Sequence, residues 1–232
     1  FALGLALAGT LAAAQLHLAP PPVYRSGESP QPVSAVDFRA MPLVGSSNAP
    51  QVVCLLFDYE CPHCQQSYFM LDEAIRQFNG QLAFALCPVP LNTNCNPYVQ
   101  QHGEQFKDSC ELAKIGLVVW LAKRAAFPDF NRWMFTFDAG DRWRPRTMEA
   151  ARSKAAELVG RATFDAALTN AWLTQHIQTS TKIFGRTSGN AVPMLVFGSR
   201  WVIAQAQDAD ELVWILQERL GVPKPGAATN KP

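Results

Sequence analysis

The sequence predicts an α/β fold in which a βαβ half and a ββα half are separated by an inserted α-helical domain, and three observations predict it. Residues 52–57 form an unbroken apolar run, partly β-branched, as suits a strand buried on both faces of a sheet. Over 62–79 the residues Tyr68, Leu71, Ile75 and Phe78 recur at three- and four-residue steps, and Asn79-Gly80 supplies a stop, so an amphipathic helix follows that strand. Beyond residue 100, helical patterns succeed one another with no strand between them until two short apolar runs and a last helix close the chain.

Each element has its own signal. Residues 36–44 allow a short first strand interrupted by Pro42, and 45–50 form a loop rich in Gly, Ser and Asn. Residues 81–87 read as a second strand ended by Pro88 and Pro90; strand, helix and strand at this spacing make a right-handed βαβ unit with parallel strands. A loop at 92–97 leads to a long apolar helix over 104–126, broken by Phe127-Pro128. Three further helical patterns follow: one around Phe130, Trp133, Met134 and Phe137, one over 147–159 and one over 163–184. Residues 194–197 and 200–204 then form an antiparallel hairpin across Gly198-Ser199, and Asp208 caps a final helix over 209–220.

At the junction of the 52–57 strand and the first helix lies Tyr59-Glu60-Cys61-Pro62-His63-Cys64. Two cysteines with this spacing are a redox dithiol or half of a zinc site. No second such pair or paired-His cluster follows, so neither a metal nor a cofactor is expected. A cysteine at a helix N-terminus sits among unpaired backbone N–H groups at the positive end of the macrodipole, which favours the thiolate. Cys61 is therefore the expected nucleophile, and Cys64, one turn further in, the shielded thiol that resolves a mixed disulfide. His63 can donate to the Cys61 sulfur or place positive charge near it, and Pro62 suits the first helical position beside it. A lowering of Cys61 by about three units would stabilise its ionised form by about 4 kcal/mol. His17, His102 and His176 are expected to be solvated or structural.

Composition bounds the function. The chain has 232 residues, 48% of them apolar, enough for one full core, and a formal net charge of +1 with basic and acidic residues interspersed, which excludes a nucleic-acid surface. Six cysteines suit an oxidising compartment. Residues 1–17, apolar and Ala-rich, read as the end of a signal peptide or a membrane anchor, and 18–35, rich in Pro and Ser, as an extended tether to a domain over 36–220. Residues 221–232 read as a disordered tail.

The 36–220 region resembles the DsbA-type thiol-disulfide oxidoreductases, a thioredoxin-like fold with an inserted helical domain at about 100–185. The resemblance is carried by Asp58-Tyr59-Glu60-Cys61-Pro62-His63-Cys64 after a buried strand, by the helices between the two halves, and by the segment 189–196 containing Val192-Pro193-Met194. It implies that the Val192-Pro193 bond is cis and faces Cys61, making Pro193 part of the catalytic site. Val192, through its backbone, and Pro62 are then the substrate contacts. It also implies cysteine-containing substrate proteins, a quinone-linked membrane partner that reoxidises the dithiol, and a cell-envelope location. A reductase or isomerase direction and a non-catalytic accessory subunit stay open as alternatives.

Two departures qualify the resemblance. The family often carries a buried acid six residues before the nucleophile, where this chain has Leu55. Asp58 or Glu60 can stand in for it, although a carboxylate beside Cys61 opposes its ionisation. The chain also carries four additional cysteines. Exported DsbA-like domains that are fused to or work with vitamin K epoxide reductase homologues look similar around Cys95 and Cys110, which implies a structural disulfide between these two; free thiols are the alternative. Cys54 and Cys87 are expected to be buried and inert.

Overall fold

The computed structural model describes residues 25–29, 36–136, 145–187, 191–203 and 205–225. Among the described residues six strands form one sheet in the order β1-β6-β5-β3-β4-β2. They are β1 (Arg25–Glu28), β2 (Leu43–Gly45), β3 (Gln51–Phe57), β4 (Leu82–Pro88), β5 (Met194–Phe197) and β6 (Arg200–Ile203). β3 and β4 pair in parallel, with α1 (Pro62–Gln77) as the crossover between them, and the other pairings among the described residues are antiparallel. All seven residues of β4 are buried, so both faces of the sheet are covered at this strand. Helix α1 and a helix of the insertion both pack against it.

The insertion comprises α2 (Ser109–Ala122), α3 (Phe127–Phe135), α4 (Met148–Val159), α5 (Arg161–Leu168) and α6 (Ala171–Arg186). Helix α2 is buried nearly all round, with Leu112, Ile115, Val118 and Val119 fully enclosed, and the other four insertion helices pack on it. The chain closes with α7 (Ala209–Trp214), prolonged by a π-turn at Ile215–Arg219 and packed on α1. The Asp208 carboxylate accepts from the Glu211 N–H at 2.8 Å, the cap read from the sequence.

Several boundaries differ from the sequence reading, each for a physical reason. The stretch read as a tether over 18–35 contains β1, an edge strand paired antiparallel with β6 from Arg25↔Ile203 to Glu28↔Arg200. Flanking prolines hide this strand in the sequence, and pairing along one side with the Trp201 indole lying against Gly27 makes it. Residues 36–44 give a 3-10 turn at Phe38–Ala40 before β2. The helix expected over 104–126 is a 3-10 turn (Glu104–Phe106), then α2, then another (Arg124–Ala126). Its start is displaced because the Asn92 side-chain amide takes the carbonyls of Phe106 and Lys107 at 2.8 and 3.1 Å.

The helix expected over 163–184 is two helices, because Asn170 accepts from the Trp172 N–H at 2.9 Å and starts a new one. Val222, placed in the tail by sequence, is buried at 2% exposure and donates to the Leu216 carbonyl at 2.8 Å. The apolar stretch 1–17 and residues 226–232 lie outside the described residues, and among the described residues no helix is long and apolar enough to cross a membrane. His176 is buried against Trp172, and burial pushes its imidazole down to about 4, so the ring is neutral in the core.

Candidate active site

The site forms where β3 delivers the chain to α1. Cys61 is the N-cap of α1, with extended backbone (φ −96°, ψ 117°) and Pro62 just inside the helix, where a missing N–H costs nothing. The Cys61 carbonyl accepts from the N–H groups of Cys64 at 3.1 Å and Gln65 at 3.3 Å, which closes the first turn over the dithiol. Cys64 is fully enclosed, Cys61 keeps 4% of its surface, and Pro62 and His63 are exposed at its rim. Both sulfurs are free thiols.

Their acidities are driven apart. The hydrogen bond from Cys64 to its sulfur lowers Cys61 most; burial opposes this, the backbone N–H groups of Cys64 and His63 add to it, and the Asp58 charge works against it. Burial, and then the Cys61 sulfur, push Cys64 well up. The Asp58 N–H donates to Cys64 Sγ at 3.5 Å. One sulfur that ionises beside one that holds its proton is the pairing that disulfide exchange requires.

The Val192-Pro193 bond is cis and leads into β5. β5 pairs antiparallel with β3, Cys54 to Val196 and Leu56 to Met194, so the residues before β5 reach the end of β3 where the dithiol begins. The Val192 carbonyl lies 3.7 Å from Cys61 Sγ, across 131 positions of sequence. His63 brings its backbone N–H to the sulfur. A His63→Ala variant keeps that group, so its Cys61 thiolate midpoint, followed by ultraviolet absorbance, is expected to stay within about one unit of the parent, a tenfold change in ionisation. A rise of two units or more would assign the effect to the imidazole.

Leu55 packs in the sheet opposite Leu86 and Leu195 at 1% exposure, so the family's acid position is apolar here. Acid groups stand beside the dithiol instead, at Asp58 and Glu60. The Asp58 carboxylate accepts from the N–H groups of Glu60 at 2.7 Å and Leu91 at 2.6 Å. The Ser109 hydroxyl lies 3.1 Å from Asp58 Oδ1 and 2.8 Å from Glu60 Oε2. Burial pushes Asp58 up to about 6 and Glu60 up to about 7, against the hydrogen bonds that favour ionisation.

Cys95 and Cys110 are joined by a disulfide that ties the loop after β4 to the first turn of α2. Cys54 and Cys87 are buried in the sheet; burial pushes Cys54 up, and Cys87 Sγ lies 3.2 Å from Met41 Sδ. Among the described residues no group of three or more His, Cys, Asp or Glu side chains is placed to hold a metal ion.

Two features were not read from the sequence. Ser109 bridges the carboxyls, and nothing marks it except its place before Cys110. Tyr59 is buried, donates to Asn131 Oδ1 at 2.6 Å, and lies so close to Gly116 that a Cβ there would come within 2.6 Å of its hydroxyl. The glycine in the middle of α2 was the available signal, since it costs helix stability and so points to a close approach.

A family model described as thioredoxin matches residues 39–218. Among solved structures, the thiol-disulfide exchange protein alpha-DsbA2 from Wolbachia pipientis is 16% identical with a TM-score of 0.61, covering 80% of this chain and 92% of its own. Oxidised BdbD from Bacillus subtilis is 20% identical with a TM-score of 0.60, covering 85% and 100%. The catalytic domain of Proteus mirabilis ScsC is 20% identical with a TM-score of 0.58, covering 79% and 90%. At these identities the structures speak to the fold, which is the thioredoxin-like one with a helical insertion. No curated protein matches the chain. The match over 39–218, together with a dithiol at the start of α1 facing a cis-proline, places the chain in the thioredoxin family.

Proposed function

We propose that the protein is an exported thiol-disulfide oxidoreductase that works as an oxidase, passing the Cys61–Cys64 disulfide to cysteine pairs of substrate proteins. The observation that carries this reading is the split between the two sulfurs: Cys61 lowered at a helix start, Cys64 raised by burial one turn behind it. A stabilised thiolate in the reduced form makes the disulfide form the stronger electron acceptor. The nearby Val192 carbonyl supports the same reading, since it offers a backbone acceptor to an extended substrate chain beside the reactive sulfur. A stable disulfide at Cys95–Cys110 supports an oxidising compartment. A quinone-linked membrane protein would reoxidise the dithiol, and the apolar stretch 1–17 would direct or anchor the chain at the envelope.

A second reading has its own support. The Asp58 charge raises both sulfurs, which moderates the acidity of Cys61 and favours a reductase or isomerase with a milder potential. Equilibration with glutathione buffers separates the two, with Cys61 and Cys64 followed by alkylation and mass. The oxidase reading expects a potential well above that of thioredoxin, about −270 mV, and nearer to the range of protein disulfide isomerase and DsbA, about −180 to −120 mV. A value at or below thioredoxin's would reverse the direction of the reaction.

A further inference from the structure

Asp58 and Glu60 are both nearly enclosed, at 2% and 5% exposure, and they reach for the same hydroxyl. Ser109 has one hydrogen to give, and its oxygen lies 3.1 Å from Asp58 Oδ1 and 2.8 Å from Glu60 Oε2. The Asp58 carboxylate already accepts two backbone N–H groups, from Glu60 and Leu91, so it is suited to its charged form. The Ser109 hydrogen favours ionisation of the carboxyl it reaches, and it cannot serve both at once. With both carboxyls ionised, the one that goes without the hydroxyl hydrogen keeps only backbone N–H partners, those of Glu60 and Leu91 on Asp58 or that of Asp108 on Glu60, beside a like charge.

This cluster adjoins the dithiol. The Asp58 N–H touches Cys64 Sγ at 3.5 Å, and the Asp58 charge acts on both Cys61 and Cys64. From the other elements packed here, Asp108 faces Glu60 with both its charge and its backbone N–H, and Lys107, paired to Glu104 at 2.9 Å, faces it with an opposite charge. On β3, Leu55 is apolar and buried.

We propose that Asp58 and Glu60, bridged by Ser109, form a redox-linked proton site that binds a proton more tightly when Cys61 is a thiolate than when it is in the disulfide. The idea rests on the dithiol reading above. In the oxidising direction a substrate thiolate attacks Cys61 Sγ. A bond forms between them, the Cys61–Cys64 bond breaks, and Cys64 leaves with the electron pair and takes a proton. A second substrate thiolate then attacks the substrate sulfur of the mixed disulfide and forms the substrate disulfide, while Cys61 leaves as thiolate. The protein has gained two electrons and one proton, and one new negative charge stands beside the carboxyls. That charge makes the carboxyl pair hold a further proton, drawn from solvent, over the pH range in which the pair titrates. The three residues act as positioning residues, through charge, on the sulfurs.

The test is the number of protons taken up when the disulfide form is reduced, measured from pH 5 to pH 8 through the pH dependence of the equilibrium with glutathione. Beyond the proton on Cys64 and the fraction that Cys61 itself binds, read from its thiolate absorbance, wild type is expected to take up a further fraction of a proton in a window inside this range. Each extra proton steepens the equilibrium by about tenfold per pH unit. Glu60→Gln removes one like charge and should move the window to lower pH. Ser109→Ala removes the donor that favours ionisation of both carboxyls and should move it to higher pH. The Asp58→Asn, Glu60→Gln double variant should lose that window and keep only the uptake by the two cysteines, and its Cys61 midpoint should fall because a like charge is gone. Far-ultraviolet circular dichroism checks that each variant is folded, and the two single variants carry the test where the double variant is not. Uptake by the two cysteines alone across the whole range in wild type, or a window that both single variants leave in place, overturns the proton site while exchange with glutathione leaves the oxidoreductase reading standing. A wild type that does not exchange with glutathione at all brings down both.

Discussion

A Cys64→Ser variant is expected to stop turning over and to accumulate a mixed disulfide between Cys61 and its substrate. Cys61 is the sulfur whose ionisation is favoured, by the Cys64 hydrogen bond and by the N–H groups at the start of α1, and some of that help survives the substitution. Cys64 supplies the second sulfur: it is the leaving group when a substrate thiolate opens the disulfide, and in the reverse direction the enclosed thiol attacks Cys61 and releases the partner. Without it, exchange ends after one event, and insulin reduction or oxidation of a reduced peptide falls to the uncatalysed background. Cys61→Ser is expected to abolish both turnover and trapping, since a serine hydroxyl does not exchange with disulfides. Purification under acid quench, followed by non-reducing electrophoresis and mass spectrometry, reads the outcome. If Cys61→Ser keeps its biological role intact, the domain serves for docking and not for chemistry. If Cys64→Ser traps nothing while wild type turns over, the assignment of nucleophile and resolving thiol is wrong.

Removing the second disulfide by Cys95→Ala and Cys110→Ala should cost stability rather than chemistry. The bridge closes a separation of 15 residues, for which the chain-entropy model gives about 3 kcal/mol. In a chain of this size that corresponds to a fall in Tm of about 6 to 12 °C. Exchange below the new Tm should persist, because the loop keeps other ties. Asn92 holds the carbonyls of Phe106 and Lys107, Asn96 holds the Pro90 carbonyl at 2.8 Å, and the Leu91 N–H holds Asp58. Calorimetry of the oxidised double variant measures the first effect and glutathione exchange the second. An unchanged Tm would mean that the bridge closes a loop already ordered in the unfolded chain.

The dithiol was legible because its signals are local. An apolar run, a proline at the first position of a helix and two cysteines a turn apart are all set by a few adjacent residues, and β3, α1 and β4 lie where that pattern puts them. The hairpin of β5 and β6 and the Asp208 cap are local in the same sense. β1 was not legible, because an edge strand between prolines exists only by pairing with β6, 172 positions away where Glu28 meets Arg200. The break at Asn170 was missed because an apolar periodicity carries across a residue whose side chain caps the next turn. The start of α2 was missed because Asn92, from another loop, takes the carbonyls that would have extended it.

By itself the sequence determined the chemistry class, the seating of two cysteines at a helix start and the succession of β3, α1 and β4, since these follow from residue types at short spacing. Tertiary structure alone decided what surrounds the sulfurs. The Val192 carbonyl is brought to Cys61 by the antiparallel pairing of β3 with β5, and Ser109 is brought to Asp58 and Glu60 by the first turn of a helix that begins 45 residues after the dithiol. Charge, burial and a shared hydrogen act over a few ångströms in space, whatever the distance along the chain, so no periodicity records them.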